Sequence, residues 1–368
     1  MIFIDILYYT FLSALAVQLF FWLSFLRLLF KKSAKPADKP APVSVIVCAW
    51  NENQNLRELV PLLLSQDHQN YEVIIVDDRS TDESYDYLIE QRDKNKNFKH
   101  VRVDTVPDHI DAKKYAVTLG VKAAQNDHLL FTDADCRPQS NQWVSQMVSE
   151  FQDETIFVLG YSPYTFSWSL LGLMIGFETL LTGIHYLTAA LWGMPYMGVG
   201  RNLMYRKSYF LQHKGFIGFN NVTGGDDDLL VNKHGTSKNT RVCIDENAAV
   251  FSIPKTTFTS YFIQKKRHLS VGKHYQLKDK IRLGIHSISQ ILFWICLLSL
   301  AILEINPYVI GGGYLIRLII QLVVMGFGAR KLSDKFPVYL LPLMDFIYTL
   351  YIPLVGLPAL LSKKVKWS

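Results

Sequence analysis

HLLFTDADC, residues 128–136, is the stretch whose reading decides the fold. Its apolar residues Leu129, Leu130 and Phe131 suit a strand buried on both faces, as in a covered parallel sheet. The strand runs straight into Asp133-Ala134-Asp135, and open α/β sheets bind ligands at the carboxyl ends of their strands. Two carboxylates one residue apart offer hard oxygen donors, the kind that hold Mg²⁺ or Mn²⁺ together with a substrate's phosphates. An Asp-rich turn that caps the next helix has the same composition. The rest of the chain decides between the two.

Upstream, strand and helix alternate. VSVIVC (43–48), YEVIIVDD (71–78) and FKHVRV (98–103) read as strands. Helical spacing covers 52–65, about Thr81 to Arg92, and 111–125. Regular alternation predicts an α/β domain with a mostly parallel sheet. Polar residues gather where the strands end: Ala49-Trp50-Asn51-Glu52 after the first, and Asp77-Asp78-Arg79-Ser80-Thr81-Asp82 at the second. Ser80 and Thr81 would serve as helix caps, whereas the adjacent Asp77 and Asp78 repel one another and do little for packing. A nucleotide with its base and ribose on one loop and its phosphates on a metal at another accounts for both. The chain has no GxGxxG or GxxxxGK[ST], which counts against a dinucleotide or P-loop site.

The Ala-Trp-Asn-Glu stretch, Val-Asp-Asp-Arg-Ser-Thr-Asp and Thr-Asp-Ala-Asp resemble the nucleotide-sugar half of a family 2 glycosyltransferase with the GT-A fold. The resemblance implies that Ala49, Asn51, Glu52, Asp77 and Asp78 bind the nucleoside of the donor. It also implies that Asp133 and Asp135 hold the metal, Mg²⁺ or Mn²⁺, with Asp133 also toward the donor diphosphate. Lys113 falls where the family often has a Lys near the donor, and Arg79 where a Gly is commoner.

Further along lies TGGDDDLL (223–230), three carboxylates in a row where one would complement a helix dipole. Aligned on Leu229, Asp226 takes the place of the family's catalytic base, Gly225 replaces the usual Glu, and Asp227 is the alternative base. Such a base removes the proton of an acceptor hydroxyl, with a metal-bound diphosphate leaving. A one-step displacement of this kind inverts the anomeric centre. YMGVGRNLMYRKSYF (196–210) resembles the acceptor-side strand and turn, where Gly198 and Gly200 would let a substrate approach the backbone. The basic stretch 259–275 suits a membrane-surface helix. Within it, Gln264-Lys265-Lys266-Arg267-His268 resembles the QxxRW signature of membrane synthases. Gln264 and Arg267 share a helix face and would meet acceptor and diphosphate. His268 in place of Trp reduces the stacking surface for a sugar and counts against processive extension.

At 368 residues and 49% hydrophobic, the chain exceeds one small soluble domain. Residues 2–30 are almost unbroken apolar sequence, and 285–361 hold several further runs long enough to cross a bilayer. The first run has no Lys or Arg ahead of it and no small-residue cleavage site, so it reads as an uncleaved anchor. Lysines in the linker 31–42, and Arg330, Lys331 and Lys335 after spans at about 285–305 and 308–328, assign the catalytic part to the cytoplasm. The run 336–361 carries four prolines and Asp345, with Lys363, Lys364 and Lys366 behind it, and reads as re-entrant or interfacial. Residues 166–192 read as an interfacial helix or helix pair, because Glu178 and His185 sit in the middle and would be costly in lipid. A crossing there would also strand the later motifs away from Asp133 and Asp135. Four scattered cysteines imply buried thiols in a reducing compartment. A net charge of +6, gathered beside the apolar runs, suits a membrane surface and not nucleic acid.

The expectation is a membrane helix (1–30), a basic linker (31–42), a GT-A catalytic domain (43–275) and a carboxyl-terminal membrane region (285–361). Its activity is inverting transfer of a sugar from a nucleotide-diphosphate donor to a lipid or lipid-linked glycan, at an inner membrane and with a divalent metal. A processive polysaccharide synthase and a non-catalytic nucleotide sensor are the alternatives.

Overall fold

A run of interior valines and isoleucines builds the centre of the sheet. β1 (Val43–Ala49) pairs in parallel with β2 (Tyr71–Asp78), and β2 in parallel with β3 (Phe98–Val103). On its other side β1 pairs in parallel with β4 (His128–Asp133). Val45, Ile46 and Val47 are at most 1% exposed. Burying a side chain of that size stabilises the fold by about 1.5–3 kcal/mol. The remaining strands are β5 (Cys136–Pro138), β6 (Phe157–Leu159), β7 (Leu203–Arg206), β8 (Thr240–Val242) and β9 (Val250–Ser252). The main sheet has the order β3-β2-β1-β4-β7-β6-β8, with β7 antiparallel to both neighbours, and β5 and β9 form a separate pair. This is the expected α/β fold with a mostly parallel sheet.

Before β5 run α1 (Ile2–Phe25), α2 (Arg27–Phe30), α3 (Asn53–Leu64), α4 (Ser84–Lys94) and α5 (Ala112–Ala123). After it come α6 (Trp143–Ser149), α7 (Leu170–Leu191), α8 (Lys207–Gln212) and α9 (Asp228–His234). The last are α10 (Phe258–Val271), α11 (Leu277–Ile302), α12 (Pro307–Lys331) and α13 (Leu341–Leu361). α5 packs closely on the sheet because Gly120 has no side chain: a Cβ there would lie 2.7 Å from Ile46 and 3.0 Å from Val76. α4 begins at Ser84 and not near Thr81. Residues 80–83 are held as a loop, with Asn51 accepting from the Thr81 amide and Asp82 from the Ser84 amide.

The computed structural model describes residues 2–35 and 39–361, which divide into two units. A sheet unit comprises Lys31–Thr165 and Ala189–Pro254. A helical unit comprises Phe166–Thr188 together with the described residues up to Phe30 and from Lys255 onward. The expected catalytic domain 43–275 is therefore split, with 166–188 and 255–275 grouped with the apolar helices. Local hydropathy does not reveal that grouping.

Within the helical unit, α1, α7, α11, α12 and a stretch from Val338 to Gly356 are each long and apolar enough to cross a membrane. α7 is one continuous helix and not a pair. Its Glu178 is buried, accepting from the Tyr261 hydroxyl and pairing with Lys265 at 2.8 Å. Phe11 of α1 stacks on Phe293 of α11, with ring centroids 5.5 Å apart. Beside them Arg317 of α12, 0% exposed, pairs with Asp345 of α13 at 2.8 Å. Gln18, Gln290 and Gln321 accept from the same guanidinium, while Gln290, Gln321 and Trp294 donate to Asp345. The last apolar run is helical through Leu361. Lys363, Lys364 and Lys366 lie outside the described residues, as do residues 36–38 of the linker.

Candidate active site

Parallel register brings the strand ends level. Ala49 is opposite Asp77, and Cys48 is opposite Asp133, so the carboxyl ends of β1, β2 and β4 form one ledge. At the second strand end Asp77 is 0% exposed. Its Oδ1 accepts from the Ser80 amide at 3.1 Å, while Oδ2 is buried without a partner. Asp78 pairs with Arg79 at 2.8 Å. Asn51 spends its Oδ1 on the Thr81 amide at 2.7 Å, which makes it a fastener between two loops as well as a candidate donor contact. Glu52 accepts from Asn55 at 2.6 Å and lines an open polar hollow with Asn53, Asp82 and Glu83. Ala49 is buried. On β3, His100 keeps a buried Nε2 without a partner; burial lowers its imidazole below the usual value, against the pull of Asp77.

Across the ledge, Lys113 near the start of α5 joins the two acidic motifs. Its Nζ lies 3.0 Å from Asp133 and 3.6 Å from Asp226. Burial works against its charge, but Asp133, Asp226 and Asp227 together outweigh burial and hold the ammonium well above its ordinary pKa. Asp133 and Asp226, 93 residues apart in sequence, thus share one cleft, lined also by Cys48, Lys113, Tyr205 and Asp227.

The two candidate bases differ. Asp227 accepts from the Gly200 amide at 2.5 Å and the Asp228 amide at 2.7 Å. Burial, and then the charge of Asp226, raise its pKa to about 6. Asp226 instead turns toward Lys113. The loop ahead of them turns through Gly224 and Gly225 at φ 79° and 75°, a left-handed conformation that suits glycine. Lys114 holds this loop. Its side chain is fully buried and its ammonium donates to the carbonyls of Val222 and Gly224, while the Asp111 amide donates to Asn220.

Asp133 and Asp135 suit a cation. Burial, then the charge of Asp133, raise the Asp135 carboxyl. No cluster of three or more His, Cys, Asp or Glu able to hold a metal occurs among the described residues. A cation here would complete its shell with phosphate oxygens and water, as Mg²⁺ or Mn²⁺ does.

Gly198 and Gly200 both lie in tight packing. A Cβ at Gly198 would meet Leu203 at 3.1 Å, and one at Gly200 would meet Asp227 at 3.1 Å. These glycines make room for the protein's own side chains. Gln264, Arg267 and His268 lie on α10 of the helical unit, Gln264 and Arg267 part-buried and His268 exposed. Lys114, Arg201 and His100 were not singled out from sequence. Arg201 alone carried a local signal, as a charge between two small-residue positions and a strand.

Residues 44–212 match the family model described as "Glycosyl transferase family 2". An uncharacterized glycosyltransferase of Haemophilus influenzae is 29% identical over 146 residues, 40% of this chain and 56% of that protein. An Escherichia coli protein named UDP-Glc:alpha-D-GlcNAc-diphosphoundecaprenol beta-1,3-glucosyltransferase is 28% identical over 127 residues, 33% of this chain and 45% of its own length. The matched parts span about half the length of these relatives. Among solved structures, the mannosyltransferase PcManGT of Pyrobaculum calidifontis, in complex with GDP-Man and Mn²⁺, has a TM-score of 0.63 at 15% identity. The match covers 96% of this chain and 98% of that one and shows a shared fold.

Proposed function

Since residues 44–212 belong to glycosyl transferase family 2, we propose that the protein is a glycosyltransferase acting on a lipid or lipid-linked glycan with a nucleotide-diphosphate sugar as donor. What carries the reading is Lys113, whose one ammonium lies within 3.0 Å of Asp133 and 3.6 Å of Asp226. A sugar whose diphosphate rests by Asp133 would present its anomeric carbon toward Asp226.

Asp226 removes the proton of the acceptor hydroxyl as its oxygen bonds to the anomeric carbon. The bond from that carbon to the diphosphate breaks, the nucleoside diphosphate departs, and the anomeric centre inverts. Asp227, held by two backbone amides, braces the base and is the less free of the two. Asp77, with its buried unpartnered oxygen, is suited to a donor N–H of the nucleoside base. Lys113 opposes the charge that develops on the leaving group. Mg²⁺ or Mn²⁺ held by Asp133 and Asp135 would supply further stabilisation of the leaving diphosphate.

The lipid acceptor is supported by the apolar helices and by the diphosphoundecaprenol in the name of the Escherichia coli relative. Lys31, Lys32, Arg330 and Lys331 beside those helices support a cytoplasmic catalytic unit in a multi-pass protein. α7 lies at the interface in this reading. Lys31–Thr165 and Ala189–Pro254 form one unit, and a single crossing between them would divide it across the bilayer.

The test is nucleoside-diphosphate release by the detergent-solubilised chain from a panel of UDP- and GDP-sugars with Mn²⁺ or Mg²⁺, with and without lipid extract. Lipid-stimulated release from one donor, abolished by EDTA and reduced about 100-fold or more in Asp226→Asn, is expected. Equal turnover in Asp226→Asn overturns the base assignment. Nucleotide binding with no turnover in wild type makes the protein a sensor.

A further inference from the structure

Gly200-Arg201-Asn202 forms a single turn leading into β7, and both neighbours of Arg201 are pinned. The Gly200 amide is bound to Asp227. Asn202, 0% exposed, donates to the carbonyls of Tyr161 and Ala248 at 2.8 and 2.7 Å and accepts from Trp143 at 3.0 Å. The side chain of Arg201 therefore leaves a backbone with little freedom to shift.

Its guanidinium lies over the ring of Tyr164, 4.3 Å from the centroid, and donates one weak bond, 3.3 Å, to the Ser162 carbonyl. The other terminal nitrogen, Nη1, is buried and has no partner. The platform itself is fixed beside the acidic pair. Tyr164 bridges to Ser252 of β9, and Ser252 is paired with Cys136, the residue that follows Asp135. Asp135 and Asp133 are near enough for their charges to act on the guanidinium.

A guanidinium is charged at every accessible pH and offers five donors in a planar fork. Leaving such a group buried with a free donor is costly unless an anion completes it. Stacking on Tyr164 satisfies the face of the fork and not its edge. The edge matches two oxygens of one phosphate. We propose that Arg201 is a phosphate-binding residue beside Asp133 and Asp135, taking either the diphosphate of the donor or a phosphate at the head of the acceptor lipid. The proposal rests on the transferase reading for the identity of its ligand.

The experiment titrates the full chain in detergent with UDP, GDP, inorganic pyrophosphate, uridine and guanosine in the presence of Mn²⁺. It compares wild type with Arg201→Met, Arg201→Lys and Asp226→Asn. Arg201→Met is expected to weaken the preferred nucleoside diphosphate and pyrophosphate by about tenfold or more and to leave the nucleoside unchanged. Arg201→Lys recovers part of the loss, because a point charge replaces the fork. If diphosphate affinity is kept while the KM for a polyprenyl phosphate in mixed micelles rises by the same factor, the phosphate is the acceptor's. Unchanged values for both ligands overturn the proposal. So does equal weakening of nucleoside and nucleotide, shared by Arg201→Lys with a lowered melting temperature, which would assign Arg201 to packing against Tyr164. Pyrophosphate bound through Arg201 without any nucleoside-diphosphate binding keeps this site and sinks the transferase reading instead.

Discussion

Arg79 has φ 61°, a left-handed conformation that costs a residue with a side chain about 1–2 kcal/mol. A Gly would avoid that cost, so the Arg is explained by what its guanidinium does, which is to hold Asp78. Asp227 carries a related tension, because burial and Asp226 raise its pKa from 3.8 to about 6. A carboxyl raised in the folded state binds more protons than in the unfolded chain between these two values. Stability therefore falls as pH rises through that window, by an amount on the order of 1–3 kcal/mol. Asp227→Asn removes the slope, and melting curves of the two proteins from pH 4 to 7 should converge at the acid end and separate toward pH 7. A parallel pair of curves would show that Asp227 does not titrate there. That Asp133 and Asp226 flank one cleft, both facing Lys113, was implied by the resemblance to family 2 glycosyltransferases, whose motifs the two acidic stretches match. Lys114 was not, since its role comes from carbonyls 108 and 110 residues away.

At the scale of elements, α5 does two tasks with adjacent residues. Successive side chains on a helix are turned about 100° from one another, so Lys113 faces Asp133 and Asp226 while Lys114 faces the loop carbonyls. That loop carries Asp226, the proposed base, and a misplacement of about 1 Å in a group with that role can cost about 100-fold in rate. Lys114→Met is expected to lower kcat at least about tenfold with donor affinity little changed. Lys114→Arg should restore part of it. Parallel loss of donor binding in a titration would instead mean that the whole cleft had come apart. β1 to β4 were legible to within a residue because each is a continuous apolar run ending in polar residues. β6, β8 and β9, three residues each, have too little length for any period, and they exist because neighbours template them.

For the molecule as a whole, apolar composition foretold the helices but not which of them cluster, because clustering depends on polar residues inside them. Arg317 and Asp345 share one site with Gln18, Gln290 and Gln321, drawing α1, α11, α12 and α13 together. Removing one partner of a buried pair leaves an uncompensated charge. Arg317→Met alone should destabilise the helical unit by about 3–5 kcal/mol, and adding Asp345→Leu should recover most of that loss. Denaturant unfolding of the single and double variants in detergent checks it, and an additive double variant would refute the pairing. The same cluster bears on how the chain is made. Asp345 follows Arg317 by 28 residues, and at about 5–20 residues per second the ribosome needs roughly 1–6 s to supply it. For a chain threaded into a bilayer during synthesis, the arginine arrives before its counter-ion. Gln18 and Gln290 have by then already emerged, and both accept from that guanidinium in the finished protein. Two of its acceptors in the finished protein thus precede the arginine and its aspartate follows, so the linear order of these residues is also a timetable.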